Sequence, residues 1–247
     1  MDKQKIFEEI KRSKTYSQIS DFTINRLIDN GCSKFKKEKD VIKYVKKELH
    51  IVWGVFLKKI TNFDNLTREE LITLHRSTDE RKNFVEDFYK KIFESIQGDI
   101  KNIADYGCGF NPLNIDHMDL PKDCTYFAYD IYEPEIEFLN KHLKKKIFKG
   151  VVRDIFEEDS RQYDLVFLFK ILPVLEEQKK GSTKEILQNL NTKYFAISFP
   201  LKSLSGKDVG MQTFYTQSFE NILSELEYTY EKIVFENELV YIVKKTN

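Results

Sequence analysis

The spacing of hydrophobic and polar positions changes character about two fifths of the way along the chain. Before that point apolar residues recur at helical intervals. Over residues 40–60, Val41, Val45, Leu49, Val52 and Phe56 make one stripe, with Lys43, Lys46, Lys47 and His50 on the opposite side. In "LHRSTDERKNFVEDFYKKIFESI" (74–96), Phe84, Phe88, Ile92 and Phe93 mark a second buried face. Ser77 and Glu80 have the spacing of a capping box, so a helix is expected to start near Thr78 and to stop by Gly98. Beyond residue 100, short apolar runs alternate with helix-like stretches: "IKNIADYG", "TYFAYDI", "KGVVRDIF", "YDLVFLFKIL", "KYFAISFP", "KIVFEN" and "ELVYIVKK". That alternation predicts an α/β fold with a largely parallel sheet covered on both faces. The last two runs, joined near Glu236 and Asn237, predict an antiparallel hairpin at its edge. No internal repeat or low-complexity segment interrupts the pattern.

Composition adds a division of charge. The 247 residues hold 40 basic and 40 acidic side chains, yet residues 1–76 carry 17 Lys and Arg against 11 Asp and Glu, a net +6, and the remainder a net −6. Two domains are therefore expected: a small, all-helical, basic one over 1–76, suited to a polyanion, and the sheet domain over 77–247. The three cysteines, Cys32, Cys108 and Cys124, lack metal-ligand spacing and cannot all pair, so neither a metal nor a disulfide framework is expected and a reducing, cytoplasmic setting is. The start "MDKQKIFEEIKR" has no apolar signal segment, and "IVWGVFL" (51–57) is far short of the roughly 20 residues of a membrane span, so no membrane association is expected.

The candidate chemistry lies in "IADYGCGFNP" (103–112). Asp105, Gly107 and Gly109 end the first strand of the α/β region, where a glycine turn lets backbone N–H groups approach a ligand. Asp130 closes the next strand, where a carboxylate can accept both hydroxyls of a ribose, and Asp154 follows the third. A dinucleotide motif would need a third glycine where Pro112 stands. That departure favours S-adenosylmethionine, which has no phosphate to cradle, over a nicotinamide cofactor, and it leaves Asp154 to receive the adenine amino group.

With "LHRSTDER" (74–81), "DYGCGFNP" (105–112), "AYDI" (128–131), "LFKILPVLEEQ" (168–178) and "ISFPLKSLSGKDVGM" (197–211), and more weakly "LHIVWGVF" (49–56), the chain resembles the aminoglycoside-resistance methyltransferases that modify guanine N7 in the decoding site of 16S rRNA. The resemblance implies a Rossmann-like methyltransferase sheet and S-adenosylmethionine as cofactor. It also implies the small ribosomal subunit as partner, and a monomeric enzyme is expected. It further implies cofactor contacts from Gly107, Gly109, Asp130, Asp154, Ile155, Phe169 and Gln178, with Phe56 reaching in from the amino-terminal domain. Arg81 is implied to pair with the cofactor's methionine carboxylate, which would give an arginine in a first helical turn, disfavoured by the helix dipole, a reason to stand there. Lys43, Lys46 and Lys47 are expected to dock on the subunit. Lys170, Lys202, Lys207 and Met211 are expected at the RNA side of the pocket, the last three on a loop. No catalytic base is expected, because guanine N7 offers a lone pair and no proton. Methylation of adenine N1, methylation of a small molecule, nicotinamide-dependent oxidoreduction and RNA binding without turnover are the competing readings.

Overall fold

The computed structural model describes residues 1–51, 63–145, 147–201 and 210–246, with the backbone alone for Arg76 and residues 210–215. Helix α1 (Lys3–Lys11) begins at Asp2, whose carboxylate accepts the Lys5 N–H. It packs Ile6 and Ile10 against α2 (Asp21–Lys34) and α3 (Glu38–Leu49). Gly31 lets α2 and α3 approach: a Cβ there would lie 2.9 Å from Val41 Cγ1. Val41, Val45 and Leu49 are buried on α3, as their spacing predicts, whereas Val52 and Phe56 lie outside the described residues.

The single helix expected from Thr78 is instead two. After α4 (Arg68–Leu74), α5 (Arg76–Arg81) ends in a turn in which Phe84 N–H bonds Arg81 C=O, and α6 (Val85–Glu94) follows. The Ser77–Glu80 box does not form, because α5 starts earlier, with His75 as its N-cap and Ser77 already inside the helix, and Glu80 accepts from Lys170 Nζ at 2.7 Å. A capping box does open α4, between Thr67 and Glu70. Helix α6 ends near Ser95, and Gly98, with φ +98°, turns the chain toward the sheet rather than capping the helix.

All seven expected strands are present: β1 (Asn102–Tyr106), β2 (Thr125–Asp130), β3 (Phe148–Val152), β4 (Tyr163–Phe169), β5 (Thr192–Pro200), β6 (Thr229–Val234) and β7 (Glu238–Lys244). They lie in the order β3-β2-β1-β4-β5-β7-β6, parallel through β5, with β7 antiparallel to β5 and to the edge strand β6. A 3-10 helix with Pro112 in its first turn (Asn111–His117) follows β1, α7 (Glu133–His142) follows β2, and α8 (Leu172–Gln178) and α9 (Ser182–Asn189) follow β4. Helix α10 (Gly210–Glu225) precedes β6, so Gly210 and Met211 open a helix rather than lying in the loop expected of them.

Alternation along the strands sends successive side chains to opposite faces. Leu165, Phe167 and Phe169 of β4 and Val240 and Ile242 of β7 face one core, which they share with the buried residues of α1–α3 and α6. Val166 and Leu168 of β4 and Leu239, Tyr241 and Val243 of β7 face a second, with residues of α8, α9 and α10. Both faces are thus covered. The chain between α1 and α2 is also stitched to the sheet domain, through Ser20 N–H to Ile131 C=O and Glu133 N–H to Gln18 C=O.

Candidate active site

Strand order reverses between β1 and β4, and at their carboxyl ends the chain opens into a cavity. Gly107, Asp130, Asp154, Ile155, Phe169, Lys170 and Gln178 line it, seven of the sequence-derived candidates brought together by the ends of four strands and helix α8. Gly107 (φ +66°) and Gly109 (φ +45°) hold left-handed backbone, and both are hemmed in: added Cβ atoms would lie 2.5 Å from Ile171 Cδ1 and 2.7 Å from His75 Nδ1. The turn is fastened to β2 by Gly107 N–H and Cys108 N–H, which bond Tyr129 C=O, and by Gly109 N–H, which bonds Asp130 Oδ2 at 3.0 Å.

Asp130 also accepts the Tyr132 N–H on Oδ1. Burial, reinforced by the charge on Glu135, pushes its pKa up to about 6 against the pull of the Gly109 N–H and of His75. His75 Nε2 meets Glu135 Oε1 at 2.9 Å, and its ring stands edge-on to Phe110. Burial alone would lower the His75 pKa, but the contact with Glu135, aided by Asp130, outweighs it and holds the imidazolium above its ordinary value.

Asp154 is gripped from the amino-terminal helices. Its Oδ2 accepts Thr23 Oγ1–H at 2.8 Å, Arg26 Nη2–H at 2.9 Å and Arg26 Nε–H at 3.1 Å, and its Oδ1 accepts the Phe156 N–H. Gln178 Nε2 donates to the Glu48 carbonyl of α3. Arg26 Nη1, Arg153 Nε and Gln178 Oε1 are buried with no hydrogen-bond partner among the described residues, and all three residues line the cavity. Such groups are costly to leave unpaired. The unpaired donor of Arg26, beside the Asp154 carboxylate, suits a heterocycle carrying both an acceptor nitrogen and an amino group, and the acid at the end of β2 suits a ribose. The residues therefore fit S-adenosylmethionine.

Three residues stand in surroundings that the sequence did not reveal. Arg81 is the last residue of α5, not in a first turn, and it does not line the cavity. Its guanidinium lies behind Phe169, 4.5 Å from that ring, with Nε and Nη2 on Glu238 at 2.8 and 2.5 Å and Nη1 on Asn111 Oδ1. In this structure the Arg81 guanidinium pairs with a protein carboxylate. Lys170, expected at the RNA side of the pocket, lines the cavity, with Nζ 2.7 Å from Glu80 and 3.3 Å from Glu238, a side chain only 10% exposed and its backbone at φ +59°. Asp105, the first of the strand-end acids, faces the core, where it accepts from Tyr126 and Asn111.

On α3, Lys43 and Lys47 are exposed, while Lys46 is half-buried and 3.9 Å from Glu9. Phe56, Lys202 and Lys207 lie outside the described residues, as does the side chain of Met211. Among the described residues no His, Cys, Asp and Glu cluster is arranged for a metal ion, and no helix is long and apolar enough to cross a membrane. Sequence reasoning missed Thr23, Arg26, His75, Glu135 and Arg153. His75 and Arg153 lie within stretches already singled out, "LHRSTDER" and "KGVVRDIF"; Thr23 and Arg26 carry no local signal, since Asp154 is more than 120 residues away.

The sequence profile described as ribosomal RNA methyltransferase (FmrO) matches residues 67–242. A 16S rRNA (guanine(1405)-N(7))-methyltransferase of Proteus mirabilis is 30% identical, over 98% of this chain and 97% of its own. One of Frankia casuarinae is 27% identical, over 98% of this chain and 93% of its own. The crystal structure of the 16S rRNA methyltransferase RmtF, in complex with S-adenosyl-L-homocysteine, superposes with a TM-score of 0.83 at 25% identity, over the whole of both chains. That of the 16S rRNA methylase ArmA gives 0.62 at 36% identity, over 74% of this chain and 93% of its own.

Proposed function

Since this chain belongs to the FmrO family of ribosomal RNA methyltransferases, we propose that it methylates N7 of a guanine in the decoding site of 16S rRNA, within the small ribosomal subunit, and so confers aminoglycoside resistance. The observation that carries the reading is the cavity at the β1–β4 crevice, lined by Gly107 of the glycine turn, Asp130 and Asp154, and by Arg26, Arg153 and Gln178, each of which holds a buried polar atom with no partner among the described residues. S-adenosylmethionine, when bound there, supplies an electrophilic methyl group on a sulfonium sulfur. Guanine N7 offers a lone pair that could take up that methyl group without loss of a proton, the electrons of the broken S–C bond remaining on sulfur.

No proton moves in that step, so the protein's contribution is to bind and orient. Asp130 accepts the ribose hydroxyls, Asp154 and Gln178 Oε1 take the adenine end, and Ile155 and Phe169 supply apolar walls. Alignment of two reactants in this way is worth roughly 7–11 kcal/mol. Residues 1–76 act as the docking domain, presenting Lys43 and Lys47 beside the exposed Lys36, Lys37 and Lys39 to RNA phosphates. Lys202, Lys207 and Met211 serve the target nucleotide, whose exposure costs a few kcal/mol. The enzyme works as a cytoplasmic monomer.

The test is radiolabelled methyl transfer from S-adenosylmethionine to purified small subunits and, in parallel, to protein-free 16S rRNA, with the product nucleoside identified by mass spectrometry. N7-methylguanosine at the decoding site is expected. N1-methyladenosine would move the target atom, and no transfer to RNA despite cofactor binding would direct attention to a small-molecule acceptor.

A further inference from the structure

Arg26 is an unusual residue to find at the ends of these strands, because it comes from α2 and not from the sheet domain. Its Nε and Nη2 both bond Asp154 Oδ2, and Thr23, one turn earlier on the same helix, bonds that oxygen too. The guanidinium is further fixed by the Phe156 ring, 4.5 Å below it. With three donors on Oδ2 and only the Phe156 N–H on Oδ1, the carboxylate keeps acceptor capacity on one oxygen alone. Beside it, Arg26 Nη1 is buried and has no partner among the described residues, and Arg26 is one of the residues that line the cavity. The pair therefore offers one spare acceptor next to one spare donor.

An adenine edge has the reverse pattern: an exocyclic N–H donor beside a ring nitrogen acceptor. A 6-oxopurine replaces that donor with an acceptor and would meet the carboxylate with like polarity. We propose that Arg26 is a specificity-determining residue of the cofactor site, which selects adenine by fixing the orientation of Asp154 and by donating Nη1–H to the ring. Thr23 is the positioning residue that completes the grip. This inference rests on the cofactor reading above, and it makes the amino-terminal helices part of the cofactor pocket as well as a docking surface.

The experiment is calorimetric binding of S-adenosylhomocysteine and of its 6-oxo counterpart, S-inosylhomocysteine, to the full chain and to Arg26→Gln, with folding checked by circular dichroism and thermal melting without ligand. The wild-type chain is expected to prefer the adenosyl compound by at least about tenfold, the scale of one charged hydrogen bond. In Arg26→Gln the adenosyl affinity should fall by about tenfold or more and the preference should shrink to within about threefold of unity. A folded Arg26→Gln protein that keeps the wild-type preference, or that loses affinity for both compounds equally, would overturn the assignment and leave Arg26 as wall alone. If Arg26→Gln does not fold, Thr23→Val decides, since it keeps the side-chain shape and removes only the hydroxyl: a preference reduced severalfold supports the grip, and an unchanged one overturns it. Binding of neither compound to the wild-type chain would refute the cofactor reading itself, and this inference with it.

Discussion

Asp130 and His75 sit beside one another and should give the protein two separate pH limits. Asp130 titrates near 6, and a ribose that donates its hydroxyls prefers the ionised carboxylate. Affinity for S-adenosylhomocysteine, measured by calorimetry, should therefore hold above pH 7 and fall as pH drops through about 6, approaching about tenfold per pH unit below it. Asp130→Asn should remove that dependence and weaken binding by about tenfold or more at neutral pH, where the ionised carboxylate otherwise accepts the hydroxyls. His75 has the opposite sign. Its pKa is raised in the folded state, so the stability from its pairing with Glu135 is fully present below the ordinary histidine value and is lost as pH rises through the raised one. Melting temperatures taken from pH 6 to 9 should decline on the alkaline side, and His75→Gln should flatten that decline.

The Arg81–Glu238 pair makes a stability prediction at the same scale. Both side chains are fully buried, and Glu238 is held below its usual range because Arg81 and Lys170 overcome the effect of burial. Glu238→Gln would leave the guanidinium without a countercharge, and chemical denaturation should show a loss of about 3–5 kcal/mol. The sequence could mark Arg81 as important through its motif but could not name its partner, because Glu238 lies 157 residues further on.

At the level of elements, the glycine turn offers a comparison of three substitutions. Gly98, Gly107 and Gly109 all have positive φ, so alanine at any of them carries about 1–2 kcal/mol of backbone strain. Only at 107 and 109 does the new methyl also collide, with Ile171 and with the His75 ring, whereas nothing lies within 4 Å at 98. Gly98→Ala should thus lower stability modestly and leave cofactor affinity unchanged, while Gly107→Ala and Gly109→Ala should cost more on both measures. The strands were legible because their residues alternate or run continuously apolar, and Asp130 because it closes one. The break between α5 and α6 was not, since the same helical stripe runs across it and the first helix starts at Arg76, ahead of the expected cap.

On the scale of the whole molecule, the uneven charge is spatial as well as sequential. Lys43 and Lys47 face solvent on α3, whose other side is packed in the shared core. Reversing both to glutamate should weaken binding to small subunits, with a shallower salt dependence, and leave S-adenosylhomocysteine affinity unchanged, as filter binding and calorimetry would record. The amino-terminal helices could be recognised in the sequence as basic and amphipathic, which suits a docking face. Their other task could not, because Thr23 and Arg26 acquire it only when folding carries α2 to the end of β3.

That wall bears on how the enzyme could be inhibited selectively. The ends of parallel strands offer much the same surface to any compound that mimics the cofactor, so a mimic confined to them has little with which to distinguish one methyltransferase from another. A compound extended past the adenine position toward Thr23, Arg26 and Leu27 would contact side chains that precede residues 67–242, the region matched by the family profile. Its selectivity would come from the helix that closes the pocket.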